Sequence, residues 1–232
     1  MAARVIIVTG GGRGIGRAVC RRFAAEKYAV ATIARHAGEL EETSGLVKSA
    51  GSECLTISGD VSRPESVQRL IDETRQRFGR VDVLVNNAGV APLETVERMS
   101  LETYRTCNAV NIDAVFYACK AVCPLMRAGG GGTIVNVASV SAIDPFPGLG
   151  TYGAAKAWVV AFTRSLADEV RPDGISVFGV GPGAVDTVML RAVAPSLPVN
   201  EMLTPEDVAD TVFELTAPAW RHASGQTIFV RR

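Results

Sequence analysis

A tyrosine and a lysine one helical turn apart are the residues of this chain best suited to chemistry. Tyr152 and Lys156 stand four positions apart on a predicted helix, so their side chains share one face. A nearby ammonium group lowers the pKa of a phenol, which would let Tyr152 exchange a proton with a carbinol oxygen. The small residues Gly153, Ala154 and Ala155 leave room beside it for a flat cofactor. The same spacing also occurs on solvated helix faces, so taken alone it leaves that alternative open.

A second candidate site is the glycine-rich segment after the first predicted strand. Its glycines Gly10, Gly14 and Gly16 do not follow the common G-x-G-x-x-G spacing in any register. Glycines nevertheless let backbone N–H groups approach an anion, and the N-terminus of the following helix adds partial positive charge. The order of strand, glycine turn and helix therefore predicts a phosphate site, with a simple tight turn as the alternative.

The elements that must position these residues alternate regularly along the chain. Short apolar runs typical of buried parallel strands are separated by longer amphipathic segments typical of helices. Strands are predicted over residues 5–9, 29–34, 53–58, 81–86, 133–138, 175–180 and 226–230, and helices over 14–26, 39–50, 64–78, 101–126, 151–171 and 205–215. Right-handed crossovers give an α/β fold: one Rossmann-like, doubly wound parallel sheet with helices on both faces, forming a single domain over residues 1–232.

Composition excludes several classes of function. The 232 residues include 24 basic and 24 acidic side chains, so no global positive field favours nucleic acid or anionic membranes. No apolar run approaches the roughly 20 residues of a membrane span, and the first strand begins too early for a signal segment, which predicts a cytoplasmic protein without a membrane partner. Five cysteines without a C-x-x-C pair, and two histidines, give no pattern for a disulfide framework, a metal site or a Ser-His-Asp triad.

Further motifs resemble those of the short-chain dehydrogenase/reductase family over essentially the whole chain. In chain order they are Thr9-Gly10-x-x-x-Gly14-x-Gly16, Asp60-Val61, Asn86-Asn87-Ala88-Gly89, Asn111, Ser139, Tyr152-x-x-x-Lys156, and Pro182-Gly183 with Thr187. The separations between Asn111, Ser139 and Tyr152 are similar to those of family members that reduce 3-oxoacyl thioesters. The resemblance therefore implies an oxidoreductase that interconverts a small-molecule carbonyl and a secondary alcohol with a nicotinamide cofactor.

The resemblance also implies catalytic roles for four residues. Ser139 would hydrogen-bond the carbonyl oxygen, and Tyr152 would donate a proton to that oxygen in reduction or remove it in oxidation. Lys156 would lower the pKa of Tyr152 and bind the nicotinamide ribose, while Asn111 would hold a water that links Lys156 to solvent. Hydride would come from the nicotinamide, so the protein would supply positioning and charge stabilisation.

A larger set of cofactor contacts is implied at the carboxyl ends of the strands. They are Gly10, Gly12, Arg13, Gly14, Ile15, Gly16, Arg35, Asp60, Val61, Asn87, Ala88, Gly89, Tyr152, Lys156, Pro182, Gly183, Val185 and Thr187. Within this set, Asp60 is implied to contact the adenine amino group. Val185 and Thr187 are implied to engage the nicotinamide carboxamide.

The end of the second strand favours NADP(H) over NAD(H). A carboxylate there would bind the adenosine ribose hydroxyls and repel a 2′-phosphate, but Ala34 occupies the expected position. Arg35 follows it, and a guanidinium forms paired, charge-assisted hydrogen bonds with phosphate. Arg13 in the glycine turn would close on the same phosphate, as a basic residue does in NADP-preferring relatives. Two solvated surface arginines are the alternative interpretation.

Assembly and substrate entry are also predicted. Helices 101–126 and 151–171 carry more apolar residues than one sheet-facing stripe needs, which predicts a homodimer or homotetramer. These residues are Val115, Phe116, Ala118, Ala121, Val122, Trp158, Val159, Phe162 and Leu166. Residues 143–149 are predicted to line the substrate entrance with apolar surface, unless they form only a rigid loop, and the lid over residues 188–203 is short.

Two other functions share parts of this pattern. A Rossmann-like methyltransferase also has a glycine-rich first turn, but it does not need Ser139, Tyr152 and Lys156 at these separations. A catalytically idle nicotinamide-binding sensor or scaffold would keep the fold without the reaction, because fold does not determine function. The complete set of four catalytic residues argues against an idle protein.

Overall fold

The computed structural model describes residues 3–232, which form one sheet of seven parallel strands. The strands are β1 (Val5–Thr9), β2 (Ala29–Ala34), β3 (Cys54–Ser58), β4 (Val83–Asn86), β5 (Gly132–Val137), β6 (Ile175–Pro182) and β7 (Thr227–Val230). Their order in space is β3-β2-β1-β4-β5-β6-β7, so the direction of winding reverses between β1 and β4. Ligands bind at such a reversal in open α/β sheets. The predicted doubly wound Rossmann-like fold is confirmed, and the assignment of residues 1–232 to a single domain stays a prediction.

Eight helices within residues 3–232 connect the strands. They are α1 (Gly14–Ala25), α2 (Ala37–Ser49), α3 (Pro64–Phe78), α4 (Leu101–Asn108), α5 (Ala114–Ala128), α6 (Gly150–Val170), α7 (Val188–Val193) and α8 (Pro205–Glu214). A π-helical turn, Ala109–Asp113, joins α4 to α5, so the predicted helix 101–126 is continuous but widened at its middle. The short helix α7 was not predicted.

Two apolar layers hold the helices on the sheet. Successive residues of a strand point to opposite faces, so Ile7 and Leu84 pack with α3, α5 and α6, whereas Ile6 and Val85 pack on the face of α1 and α8. All four side chains are fully buried. Burying such a side chain contributes about 1.5–3 kcal/mol, so the alternation stabilises the packing of helices on both faces of the sheet.

The cysteines belong to these layers. All five are buried and unpaired, as expected of small apolar side chains. Burial raises the pKa of Cys54 and Cys107, which keeps both as neutral thiols. Within residues 3–232, no group of His, Cys, Asp or Glu side chains is arranged to hold a metal ion.

One helical segment is long and apolar enough to cross a membrane by length and composition. It is Leu101–Ala128, the continuous run of α4, the π-helical turn and α5, whose most apolar window of 18 residues has a mean hydropathy of 1.3. Half of its most apolar window is buried inside the protein, which is the environment of a core helix. The absence of membrane and nucleic-acid partners and the cytoplasmic location stay predictions.

Candidate active site

A cavity of about 870 Å³ runs along the carboxyl ends of the strands. This volume is within the range of small-molecule and cofactor sites. Of the residues predicted from the sequence, it is lined by Gly10, Gly12, Arg13, Gly14, Ile15, Arg35, Asp60, Val61, Asn87, Ala88, Gly89, Ser139, Tyr152, Lys156, Pro182, Gly183, Val185 and Thr187. The structure therefore brings together all the predicted site residues except Gly16 and Asn111, which lie behind the cavity wall.

The glycine turn forms one part of this wall. Gly10 and Gly14 have φ angles of 72° and 52°, a backbone conformation that other residues rarely adopt. A Cβ on Gly16 would overlap the carbonyl oxygen of Gly10, so Gly16 lets α1 approach the turn. Its predicted contact with the cofactor stays a prediction. The first turn of α1 contains no acidic residue, and its N-terminus faces the cavity, which suits the pyrophosphate of a dinucleotide.

Helix α6 carries the tyrosine and the lysine into the cavity. Tyr152 lies in its first turn and Lys156 one turn later, and the Lys156 Nζ is 5.8 Å from the centre of the Tyr152 ring. Lys156 Nζ also donates a hydrogen bond of 2.8 Å to the carbonyl oxygen of Val137, at the end of β5. Ser139 follows two residues later, and its hydroxyl accepts a hydrogen bond of 3.1 Å from the Ser141 N–H. The end of β5 and the start of α6 thus place the three groups together.

Burial controls the protonation of these groups. It raises the pKa of Tyr152, while the hydrogen bond with Ser139 acts in the opposite direction. The sequence predicted a lowered pKa from the Lys156 ammonium; that prediction is wrong for this structure, because removal of the phenol from water dominates. Burial also lowers the pKa of Lys156 to about 8. At neutral pH the phenol therefore keeps its proton, the form that a proton donor needs.

Asn111 lies in the π-helical turn and is completely buried. Its Nδ2 donates to the carbonyl oxygens of Val90, at 2.9 Å, and Cys107, at 2.8 Å. A Cβ on Gly89 would lie 2.9 Å from the Asn111 Oδ1 and 3.5 Å from the Lys156 Nζ, so the two side chains meet on one side of Gly89. Asn111 fixes the loop after β4, and the water-holding role that the resemblance implied stays a prediction.

A buried polar chain connects β4 and β5 to α6. The sequence predicted that Asn86 ties neighbouring strand ends together, but it did not identify Asn136 or Thr163. The Nδ2 of Asn86 on β4 donates to the Oδ1 of Asn136 on β5 at 2.8 Å. The Nδ2 of Asn136 donates in turn to the Oγ1 of Thr163 at 2.9 Å. Thr163 lies on the same helix as Lys156, seven residues further on. A threonine two helical turns after the lysine was the signal that could have found it.

Thr187, which was predicted to contact the nicotinamide, lies between the glycine turn and α7. The Thr187 hydroxyl accepts a hydrogen bond of 3.2 Å from the Leu190 N–H and thereby caps α7. It also donates to the carbonyl oxygen of Val185 at 3.3 Å. A Cβ on Gly14 would lie 3.3 Å from the Thr187 Cγ2, so the glycine turn and the lid nearly touch.

The part of the cavity lined by Arg13, Arg35 and Glu39 was predicted to hold the adenosine and is called the adenosine end. It contains the two predicted arginines and a carboxylate that was not predicted from the sequence. Arg13 and Arg35 both line the cavity. Glu39, in the first turn of α2, lines it too and lies 3.5 Å from Arg13, measured from Oε1 to Nη1. The Asp60 Oδ1 accepts hydrogen bonds from the N–H and hydroxyl of Ser62, so this carboxylate also stabilises its own turn. The acidic first turn of a helix that starts just after β2 was the available signal for Glu39.

One part of the cavity, called the mouth, is rimmed by large apolar side chains. Phe146 and Val188 there are 66% and 64% exposed, and Leu93 and Met189 also line the cavity. Large exposed apolar side chains grouped around a cavity mark a binding surface. Four residues of the segment 143–149 line the cavity, as does α7, and the role of this segment as the substrate entrance stays a prediction.

Comparison with known proteins places the chain among enzymes of related sequence and fold. The short chain dehydrogenase family matches residues 4–197. A 3-oxoacyl-[acyl-carrier-protein] reductase of Synechocystis sp. is 34% identical, with 99% of this chain and 96% of that protein covered. The 3-ketoacyl-(acyl-carrier-protein) reductase of Brucella melitensis complexed with NADH has a TM-score of 0.90, 30% identity, and coverage of 98% and 96%. The L-sorbose reductase of Gluconobacter frateurii complexed with NADPH and L-sorbose has a TM-score of 0.91, 29% identity, and coverage of 100% and 96%.

Proposed function

Because this chain belongs to the short chain dehydrogenase family, we propose that it is an NADP(H)-dependent oxidoreductase that interconverts a carbonyl and a secondary alcohol through Tyr152. The observation that supports this most is the convergence of Ser139, Tyr152 and Lys156 on one point of a dinucleotide-sized cavity. Members of the family act on carbonyl and alcohol groups, so the reaction class and the site agree.

In reduction, the side chains of this protein bind the carbonyl oxygen, donate a proton to it and stabilise the resulting charge. Ser139 and Tyr152 donate hydrogen bonds to the carbonyl oxygen, and the Tyr152 phenol then passes its proton to that oxygen. The Lys156 ammonium, still charged below its pKa of about 8, stabilises the phenolate that remains. The glycine turn, Asn87 to Gly89 and Thr187 would hold the nicotinamide cofactor. When bound, that cofactor supplies the hydride.

Three features of the adenosine end support the preference for NADP(H). Arg35 and Arg13 both border the cavity, where a 2′-phosphate would gain charge-assisted hydrogen bonds. Ala34 at the end of β2 offers no carboxylate to the ribose hydroxyls. Related structures hold NADH in one case and NADPH in another, so this preference comes from the residues of the present chain.

The mouth of the cavity favours a neutral, apolar ketone. Its rim is formed by large apolar side chains, and burying them on a substrate contributes about 25 cal/mol per Å². Asp144, Glu201, Arg231 and Arg232 also line the cavity. Their two carboxylates and two guanidiniums carry no net charge, so binding does not require a charged group on the substrate.

We also propose a homodimer or homotetramer. Of the nine apolar residues cited from the sequence, Val115, Ala118, Val122, Val159 and Leu166 lie in the chain's own core, so they cannot form a contact. Phe116 is 44% exposed, and Trp158 stacks on Phe162 with ring centres 4.7 Å apart. This outer face of α5 and α6 would pack against its own copy. A mass near 24.5 kDa by light scattering at micromolar concentration would contradict the assembly.

The reaction is tested by mixing the protein with NADPH or NADH and a panel of cyclic ketones, aryl ketones, diketones and 3-oxoacyl thioesters. Loss of the nicotinamide absorbance is the readout. We expect turnover with NADPH, fastest with apolar ketones. Cofactor binding without turnover of any substrate in the panel would favour the idle sensor or scaffold instead.

A further inference from the structure

Glu39 places a carboxylate beside the glycine turn. A Cβ on Gly12 would lie 3.1 Å from the Glu39 Oε2 and 3.2 Å from the Cβ of Ala34. The Glu39 carboxylate and the end of β2 are therefore both close to Gly12. Helix α2 thus brings a negative charge to the region where β2 itself has none.

The backbone of Glu39 is fixed against the glycine turn. Its carbonyl oxygen accepts hydrogen bonds from the Thr43 hydroxyl at 3.0 Å and from the Arg17 Nη2 at 3.2 Å. The Thr43 hydroxyl also lies 2.9 Å from the carbonyl oxygen of Gly11. Arg17 in turn donates to the carbonyl oxygen of Gly12 from its Nε at 2.9 Å. Only the side chain of Glu39 is free to change its position.

The ion pair between Arg13 and Glu39 is weak enough to exchange partners. The Arg13 side chain is 51% exposed and that of Glu39 is 30% exposed, at a separation of 3.5 Å. Partly exposed pairs of this kind contribute little to stability, because water and salt screen them. A phosphate with more negative charge and more acceptor oxygens can therefore displace the carboxylate from Arg13.

We propose that Glu39 competes with the 2′-phosphate of NADP(H) for Arg13 and thereby limits the preference for NADP(H) over NAD(H). This inference rests on the proposed function, in which Arg13 and Arg35 bind that phosphate. Arg35 has no ion-pair partner within residues 3–232, so it meets the phosphate without competition. Binding of NADP(H) has to break the Arg13–Glu39 pair and bring two anions close together, whereas binding of NAD(H) does neither.

The test measures binding of adenosine fragments, which requires no catalysis. Affinities of 2′,5′-ADP and 5′-ADP are determined by isothermal titration calorimetry for the wild type, Glu39→Gln and Glu41→Gln. Glu41 is an exposed carboxylate on the same helix and controls for the change in net charge. We expect Glu39→Gln to bind 2′,5′-ADP about tenfold more tightly, while 5′-ADP changes less than about twofold. Glu41→Gln should leave both affinities within about twofold of the wild type.

A double-mutant cycle identifies the partner in the competition. In an Arg13→Met background, Glu39→Gln should gain less than about threefold for 2′,5′-ADP, because the contested cation is gone. Unchanged or weaker 2′,5′-ADP binding by Glu39→Gln would overturn the proposal, and so would a full tenfold gain without Arg13. The cofactor assignment itself would be wrong if Arg35→Ala left 2′,5′-ADP binding unchanged and the wild type bound NADH more tightly than NADPH. These two measurements do not involve Glu39, so they distinguish a failure of the proposed function from a failure of the competition.

Discussion

The two ends of the cavity are built on different principles. At the catalytic end, Lys156 is 3% exposed and its ammonium is fixed by the carbonyl of Val137. At the adenosine end, the Arg13 side chain is 51% exposed, and its partner Glu39 is 30% exposed. The groups proposed to react are therefore positioned by the fold, while the groups proposed to select the cofactor can rearrange.

The difference extends below the surface. Beneath the catalytic end, Asn86, Asn136 and Thr163 form a buried polar chain, and removing one member leaves another unsatisfied at a cost of about 1–3 kcal/mol. Beneath the adenosine end, Arg17 and Thr43 satisfy backbone carbonyls and leave the Glu39 side chain unrestrained. Substitutions at the first end should change rate or folding, and those at the second should change the choice of ligand.

The largest effect is expected at the catalytic end. Tyr152→Phe should lower turnover at least about a hundredfold, because general acid–base groups contribute about 10²–10⁴-fold. The affinity for NADPH, measured by fluorescence, should not change. Tyr104→Phe is the control, since Tyr104 is 49% exposed and does not line the cavity. Turnover of Tyr152→Phe close to that of the wild type would remove the proposed proton donor.

The catalytic end was also the easier one to predict from the sequence. Strands such as Val5–Thr9 are short apolar runs that the sequence shows directly. Tyr152 and Lys156 are four residues apart, so they lie on the same face of any helix that contains them. Glu39 was not predicted, since its approach to Gly12 depends on how α2 packs on the glycine turn. The direction of the Tyr152 pKa was wrong for the same reason: burial is a property of the assembled fold.

The second effect concerns pH and the stability of the catalytic end. The folded state releases the Lys156 proton near pH 8, whereas the unfolded chain holds it up to about 10.5. Between these values the unfolded state binds more protons at Lys156, so this residue should add up to about 3 kcal/mol to the free energy of unfolding as pH rises. The buried cysteines, whose pKa values are raised, act in the opposite direction in every variant. Urea denaturation at several pH values should therefore show this rise as a growing difference between the wild type and Lys156→Met. Lys48→Met, on the exposed face of α2, should retain it; the same rise in Lys156→Met would contradict the assignment.

At the adenosine end, the expected effect is on ligand choice. Arg35→Ala should weaken NADPH binding by about 1.5–3 kcal/mol, the range for a hydrogen bond to a charged group. NADH binding should barely change, because NADH has no 2′-phosphate. Arg75→Ala, an exposed arginine on α3, gives the same change in net charge away from the cavity. Equal losses for both cofactors would mean that Arg35 contacts a part that they share.

The smallest expected effect is the change in the free energy of unfolding caused by a substitution at the adenosine end. Glu39→Gln should change the free energy of unfolding by less than about 1 kcal/mol, because its pair with Arg13 is exposed and screened. Its position in the first turn of α2 adds only a favourable interaction with the helix dipole, about 0.3–1 kcal/mol. Chemical denaturation without ligand measures this change directly. A loss of 2 kcal/mol or more would show that Glu39 supports the fold, and the adenosine end would then be as rigidly built as the catalytic end.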